Sequence, residues 1–122
     1  MGKEERNHYT LGRKGEDIAV KYLKKKKYKI LTQGFRFLRG EIDIIAYDRD
    51  TLVFIEVKTR RNKEYGLPEE SVTPKKQNQI KKIALGFLMK YNLENTDCRF
   101  DVISLLLDKE KKPSLRHIKD AF

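Results

Sequence analysis

Apolar residues recur along this chain with two different periods, and the switches between them mark the elements. From 11 to 26, LGRKGEDIAVKYLKKK sets Leu11, Ile18, Ala19, Tyr22 and Leu23 on one helical face. The run Lys24 to Lys27 closes that helix as a solvated end, with charge favourable to the helix dipole. Tyr28 to Gln33 reads as a short strand that Gly34 breaks. GEIDIIAYD and TLVFIEVKT read as two strands joined around Asp48-Arg49-Asp50-Thr51. A loop from 60 to 72 carries Gly66 and Pro68, and Thr73-Pro74 then supplies an N-cap and a first-turn proline. The helix they start aligns Ile80, Ile83, Ala84, Phe87, Leu88 and Tyr91, with Lys81, Lys82 and Lys90 on the other side. CRFDVISLLL, 98 to 107, is too apolar and β-branched for a surface loop and reads as a buried strand. Lys109 to Pro113 turns the chain into LRHIKDAF, a last short strand or tail. The order α-β-β-β-α-β, with room for one more strand, predicts a single α/β domain over 1–122. Its mixed central sheet is flanked by helices, and residues 1–10 form a flexible lead.

Charge interrupts this pattern where it is least expected. Glu41, Asp43, Glu56 and Lys58 stand inside the two apolar strands of the hairpin. A carboxylate buried in a sheet is costly unless something answers it. A turn centred between Arg49 and Asp50 places Tyr47 opposite Leu52, Ile45 opposite Phe54 and Asp43 opposite Glu56. Glu41 then falls opposite Lys58, and Glu56 and Lys58 share a face about 6.6 Å apart along the strand. Two directly opposed carboxylates repel. Either Lys58 answers one acid as an ion pair, or a divalent cation such as Mg²⁺ or Mn²⁺ bridges both. Glu16 lies on the flank of the first helix's apolar stripe, and that helix can carry it near Asp43.

The net charge of +10 narrows the partner to a polyanion, nucleic acid or an acidic membrane surface. No apolar run is long enough to span a bilayer, and neither helix joins a basic face to an exposed apolar one. The start, MGKEERNHYT, has no signal-peptide core, and the single Cys98 fits a reducing cytoplasm. Cys98, His8 and His117 form no zinc spacing. Cations gather around the acidic hairpin in sequence. QGFRFLRGE brings Arg36 and Arg39 between Phe35 and Phe37, Arg60, Arg61 and Lys63 follow the second strand, and Lys75 and Lys76 open the second helix. Together they predict a phosphate-binding rim, with Lys76 directed back over the sheet.

Glu16, GEIDIIA and FIEVKTR together resemble the PD-(D/E)xK nucleases of restriction-endonuclease-like fold. Ile42-Asp43 stands where that motif has Pro-Asp, and Glu56-Val57-Lys58 stands as ExK. A closer resemblance, to the YraN family of small bacterial proteins, runs through GRKGEDIA, GEIDIIA, LVFIEVKTR, YG (65–66), RFDVI and HIKDAF. That family is described as endonuclease-like, distantly similar to archaeal Holliday-junction resolvases.

The resemblance implies an α-β-β-β-α-β core with Asp43, Glu56 and the Val57 carbonyl as Mg²⁺ or Mn²⁺ ligands. Lys58 would stabilise the attacking hydroxide or the phosphate, and Glu16 would complete the acidic cluster. It also implies a DNA partner and, by analogy with the resolvases, a homodimer. The resolvases carry a catalytic serine in a neighbouring loop, and none stands between Thr59 and Gly66. Three functions follow as expectations: a nuclease acting on branched or otherwise structured DNA, a DNA-binding accessory protein that does not cleave, and an RNA-directed variant of either.

Overall fold

Two threonines start the two helices. In a computed structural model, which describes residues 10–62, 64 and 66–122, Thr10 Oγ1 accepts the Arg13 N–H at 3.2 Å and opens α1, Leu11–Lys25. Thr73 Oγ1 accepts the Lys76 N–H at 3.3 Å and opens α2, Pro74–Lys90, with Pro74 at its first position. The flexible lead expected at the N-terminus falls almost wholly outside the described residues, as do His8, Lys63 and Tyr65.

Five strands, β1 (Lys29–Phe37), β2 (Gly40–Asp48), β3 (Thr51–Arg60), β4 (Cys98–Leu106) and β5 (Ser114–Ile118), lie side by side in that order. β3 and β4 are parallel, with α2 in the crossover between them, and the other neighbours are antiparallel. This is the mixed sheet and α-β-β-β-α-β order expected of an endonuclease-like core, with β5 added at one edge.

Alternation along β3 sorts the core into two layers. Val53 and Ile55 pack with Ala19, Val20 and Leu23 of α1, whereas Leu52 and Phe54 pack with Ile80, Ile83, Ala84 and Phe87 of α2. Burying each such Leu, Ile or Phe contributes about 1.5–3 kcal/mol, which holds a helix on either face.

Three expectations need correction. β1 does not stop at Gly34 but runs on to Phe37, because Gly34 takes φ +66° without ending the strand's pairing with β2. Tyr91 caps α2 at 50% exposure instead of joining its core face. Leu85 and Met89 are 54% and 61% exposed on the helix that also carries Lys81 and Lys82, so α2 does present an apolar strip beside lysines.

Candidate functional site

The predicted hairpin register is present from Asp48↔Thr51 through Tyr47↔Leu52 and Ile45↔Phe54 to Ile44↔Ile55, where the β2–β3 ladder ends. Neither strand ends there. β2 stays paired with β1 as far as Gly40, and β3 stays paired with β4 as far as Arg60. The sheet therefore forks, and Asp43 and Glu56 occupy the first positions inside the fork. Asp43 Oδ2 accepts the Val57 N–H at 2.8 Å, so a side chain takes over where the ladder stops. The N–H and C=O of one strand residue point to the same edge, so the Val57 carbonyl also looks into the fork.

Each of the other functional candidates has a definite place relative to this fork. Glu56 is buried, and its Oε2 lies 3.3 Å from Lys58 Nζ and 3.7 Å from Lys76 Nζ. Lys76 extends the apolar stripe of α2 by one turn and so hangs over the sheet, as the helical spacing predicted. Glu41 does not answer Lys58. The strands have already parted, and Glu41 pairs with Arg36 across the β1–β2 ladder at 3.6 Å.

Glu16, on α1, lies within electrostatic range of Asp43 and Glu56. Its carboxyl is raised from the ordinary value by partial burial first, then by Glu41 and Asp17, with a smaller push from Glu56. What lets α1 come so close is Gly15, which packs directly on Thr59 of β3. A Cβ there would collide with Thr59 Oγ1, a buried hydroxyl without a hydrogen-bond partner among the described residues.

The acids are electrostatically crowded. Asp43 is pushed up to about 7, by burial first and the Glu56 charge second, against the pull of the Val57 N–H. Among the described residues, no group of three or more His, Cys, Asp or Glu is gathered closely enough to cage a metal. Two carboxylates and a carbonyl nevertheless suit Mg²⁺ or Mn²⁺, which keep waters and share substrate phosphates instead of needing an all-protein cage. Crowding that leaves Asp43 inclined to keep a proton is what a divalent cation relieves, so the residues present fit the ion.

The basic rim divides. Arg36, Arg39 and Lys76 line one hollow of about 280 Å³ with Gly40, Glu41 and Gln79, beside the fork. Arg61 belongs to a separate hollow with Lys111 and Lys112. Arg60 ends β3 and turns its guanidinium onto its own Thr59 carbonyl, while Lys75 is exposed on the first turn of α2.

A second polar cluster was not foreseen: Asp101 and His117 stand in RFDVI and HIKDAF, two segments that carry the family resemblance, but nothing in either signals that the two residues meet. Asp101 is fully buried and accepts from Arg99 Nε at 2.8 Å, Arg99 Nη2 at 2.9 Å and the Asp120 N–H at 3.0 Å. It also lies 2.7 Å from His117 Nε2, and His117 Nδ1 lies 2.9 Å from the Tyr22 hydroxyl. Arg99 continues outward to Asp48 Oδ2 at 3.0 Å and the Tyr28 hydroxyl at 2.9 Å.

A family model described as "Uncharacterised protein family UPF0102" matches residues 15–105, which include every residue of the fork. The chain is 51% identical over 123 residues to a UPF0102 protein of Geotalea uraniireducens (strain Rf4), covering 100% of this chain and 97% of that one. It is 49% identical over 121 residues to a UPF0102 protein of Geotalea daltonii, covering 99% and 95%. To a UPF0102 protein of Geobacter sulfurreducens it is 43% identical over 122 residues, covering 100% and 95%. Matched along its length by these relatives and across its fork by the family model, the chain belongs to the UPF0102 family.

Proposed function

We propose that this protein is a metal-dependent nuclease that hydrolyses phosphodiester bonds in DNA of branched or otherwise interrupted structure. The observation that carries the reading is the fork. Two neighbouring strands part at the point where each presents a carboxylate, and a backbone carbonyl and a lysine stand beside them. An accessory binder has no use for buried acids that crowd one another.

Asp43, Glu56 and the Val57 carbonyl would hold Mg²⁺ or Mn²⁺, which supplies Lewis acidity toward a phosphoryl oxygen and a water of lowered pKa. Lys58 sits on Glu56 and offers a positive charge to a non-bridging oxygen as charge builds there. Glu16, held above its ordinary value, accepts a proton at its carboxylate from a water in the fork. Lys76, Arg36 and Arg39 line the adjoining hollow and orient the phosphate backbone.

One observation favours the accessory-binder alternative. Lys58 and Lys76 already answer Glu56, and among the described residues no third acid closes a cage. A panel of labelled junction, flap, duplex, single-stranded DNA and RNA substrates with Mg²⁺ or Mn²⁺ decides. Cleavage by wild type, lost by at least ~100-fold in Glu56→Ala and Lys58→Ala, supports the nuclease. Cleavage that survives both substitutions, or none by wild type at any metal concentration, overturns it.

A further inference from the structure

The far end of the hairpin carries a feature that the fork does not use. A basin of about 470 Å³ opens between the end of α1 and the β2–β3 turn, with Lys26, Lys27, Arg49 and Lys119 among its lining residues. Its one acid among the described residues is Asp48, which Arg99 already neutralises from behind at 3.0 Å. Tyr22, Tyr28 and His117 form its floor, each tied into the Arg99–Asp101 network. A second hollow of about 520 Å³ adjoins it over the turn. The two share Lys27 and Arg49, and the second adds Lys29 and the acid Asp50. A row of cations across two joined hollows suits a chain of phosphates better than one small anion.

Backbone conformation gives an independent reason to treat these cations as more than a solvated surface. Lys27 and Arg49 both have positive φ, 73° and 57°, where L side chains are strained. At α1 the Lys27 N–H donates to the Lys24 carbonyl and the Tyr28 N–H to the Leu23 carbonyl, which puts Lys27 at the left-handed position that usually takes glycine. The same hydrogen-bond pattern ends α2, and there the position holds Asn92, a residue that tolerates it. Arg49 is the first residue of a two-residue hairpin turn, another place where glycine is favoured. Two turns that glycine would make more easily instead send long cations into the same basin.

We propose that this basin is a second phosphate-binding surface, which holds a nucleic-acid strand at the opposite end of β2 and β3 from the acid pair. The two surfaces are roughly 17 Å apart along the strand, about five base pairs of duplex. A protein with both grips two segments of a nucleic acid at once, and only one of them meets the fork. The inference rests on the nucleic-acid partner in the proposed function, and it is independent of cleavage.

The test is the double variant Lys27→Gly/Arg49→Gly. Binding of fluorescein-labelled single-stranded and duplex DNA is followed by anisotropy in EDTA over a series of KCl concentrations, and cleavage is measured separately with Mn²⁺. Because glycine relaxes both turns, the expected melting temperature is equal to wild type or higher by about 2–5 °C. DNA affinity is expected to fall ~10-fold or more at low salt, and the log–log salt slope to shrink by about 2. The charge-matched control Lys82→Ala/Lys90→Ala, on the outer face of α2, changes affinity by less than ~2-fold.

Binding equal to wild type, or lowered only as far as in the control, overturns the inference. So does displacement of DNA by inorganic phosphate or ATP at concentrations matching the DNA's own phosphate, since that makes the basin a small-anion site. Lost binding in the variant beside a wild type that never cleaves leaves the second surface standing and removes the nuclease. Unchanged binding beside normal cleavage does the reverse.

Discussion

Asp43 Oδ2 accepts the Val57 N–H at 2.8 Å, one position past the last pair of the β2–β3 ladder. A carboxylate here does the work of a strand partner, and that ties the charge state of Asp43 to the integrity of the sheet.

The first prediction follows from that tie. In the fold Asp43 holds its proton up to about 7, against an ordinary value of 3.8. Because the folded state binds the proton more tightly, the associated stability is full below about 4 and is lost as pH rises through neutrality. Asp43→Asn keeps an acceptor for Val57 and removes the titration. Its unfolding free energy from urea titrations in EDTA should gain on wild type as pH climbs from 4 to 8, by up to about 4 kcal/mol. A constant difference across that range would mean that Asp43 does not titrate there.

Lys76 gives a second prediction, because it stands 3.7 Å from the Glu56 oxygen that a cation would use. Lys76→Met should tighten Mn²⁺ binding several-fold in calorimetry without DNA, since one competing charge is gone, and at the same time weaken DNA binding. Both effects should move in opposite directions in one variant. If Mn²⁺ affinity falls instead, Lys76 supports the acid pair and does not compete for it.

Gly15 supports a third. Gly15→Ala drives a Cβ into Thr59 and should lower stability by about 2–3 kcal/mol in urea titrations. Thr59→Ala, which removes a buried hydroxyl that has no partner among the described residues, should be neutral or stabilising alone and should restore more than half of that loss in the double variant. Absence of rescue would place the strain elsewhere on α1.

Asp101 supplies the fourth, with the opposite sign from Asp43. Burial alone pushes its carboxyl up, but His117, Arg99 and the Asp120 N–H outweigh burial and hold it below the ordinary range. Its stability is therefore present above the ordinary value of 3.8 and lost as pH falls through the folded value. Asp101→Ala should cost about 3–5 kcal/mol at pH 7, because it leaves the Arg99 guanidinium without its buried partner. Hydrogen exchange at β5 and the Asp120 turn should accelerate more than at β1.

Much of this could be read from the chain, and the boundary of what could is physical. The hairpin register was legible because a two-residue turn fixes every pair after it, from Tyr47↔Leu52 to Ile44↔Ile55. The fork was not, because its cause lies outside the hairpin. β1 and β4 each keep hold of one strand and pull the two apart. That is why Glu41 meets Arg36 instead of Lys58. Gly34 misled the reading of β1, since a glycine reads as a break whether or not the neighbouring strand continues across it. Lys27, Arg49 and Lys119 lie in three distant segments, and left-handed backbone at the first two leaves no trace in a sequence that offers Lys and Arg there.

The crossover between β3 and β4 also sets an order of events. β2 and β3 are joined by a tight turn and can find one another early, whereas Lys76 and β4 depend on docking of the crossover that spans residues 61–97. Asp43 and Glu56 thus share the hairpin with Lys58 beside Glu56, before Lys76 is in place to add its charge. Mild acid or a divalent ion is therefore expected to speed hairpin closure, and stopped-flow refolding across pH 5 to 8 would read it.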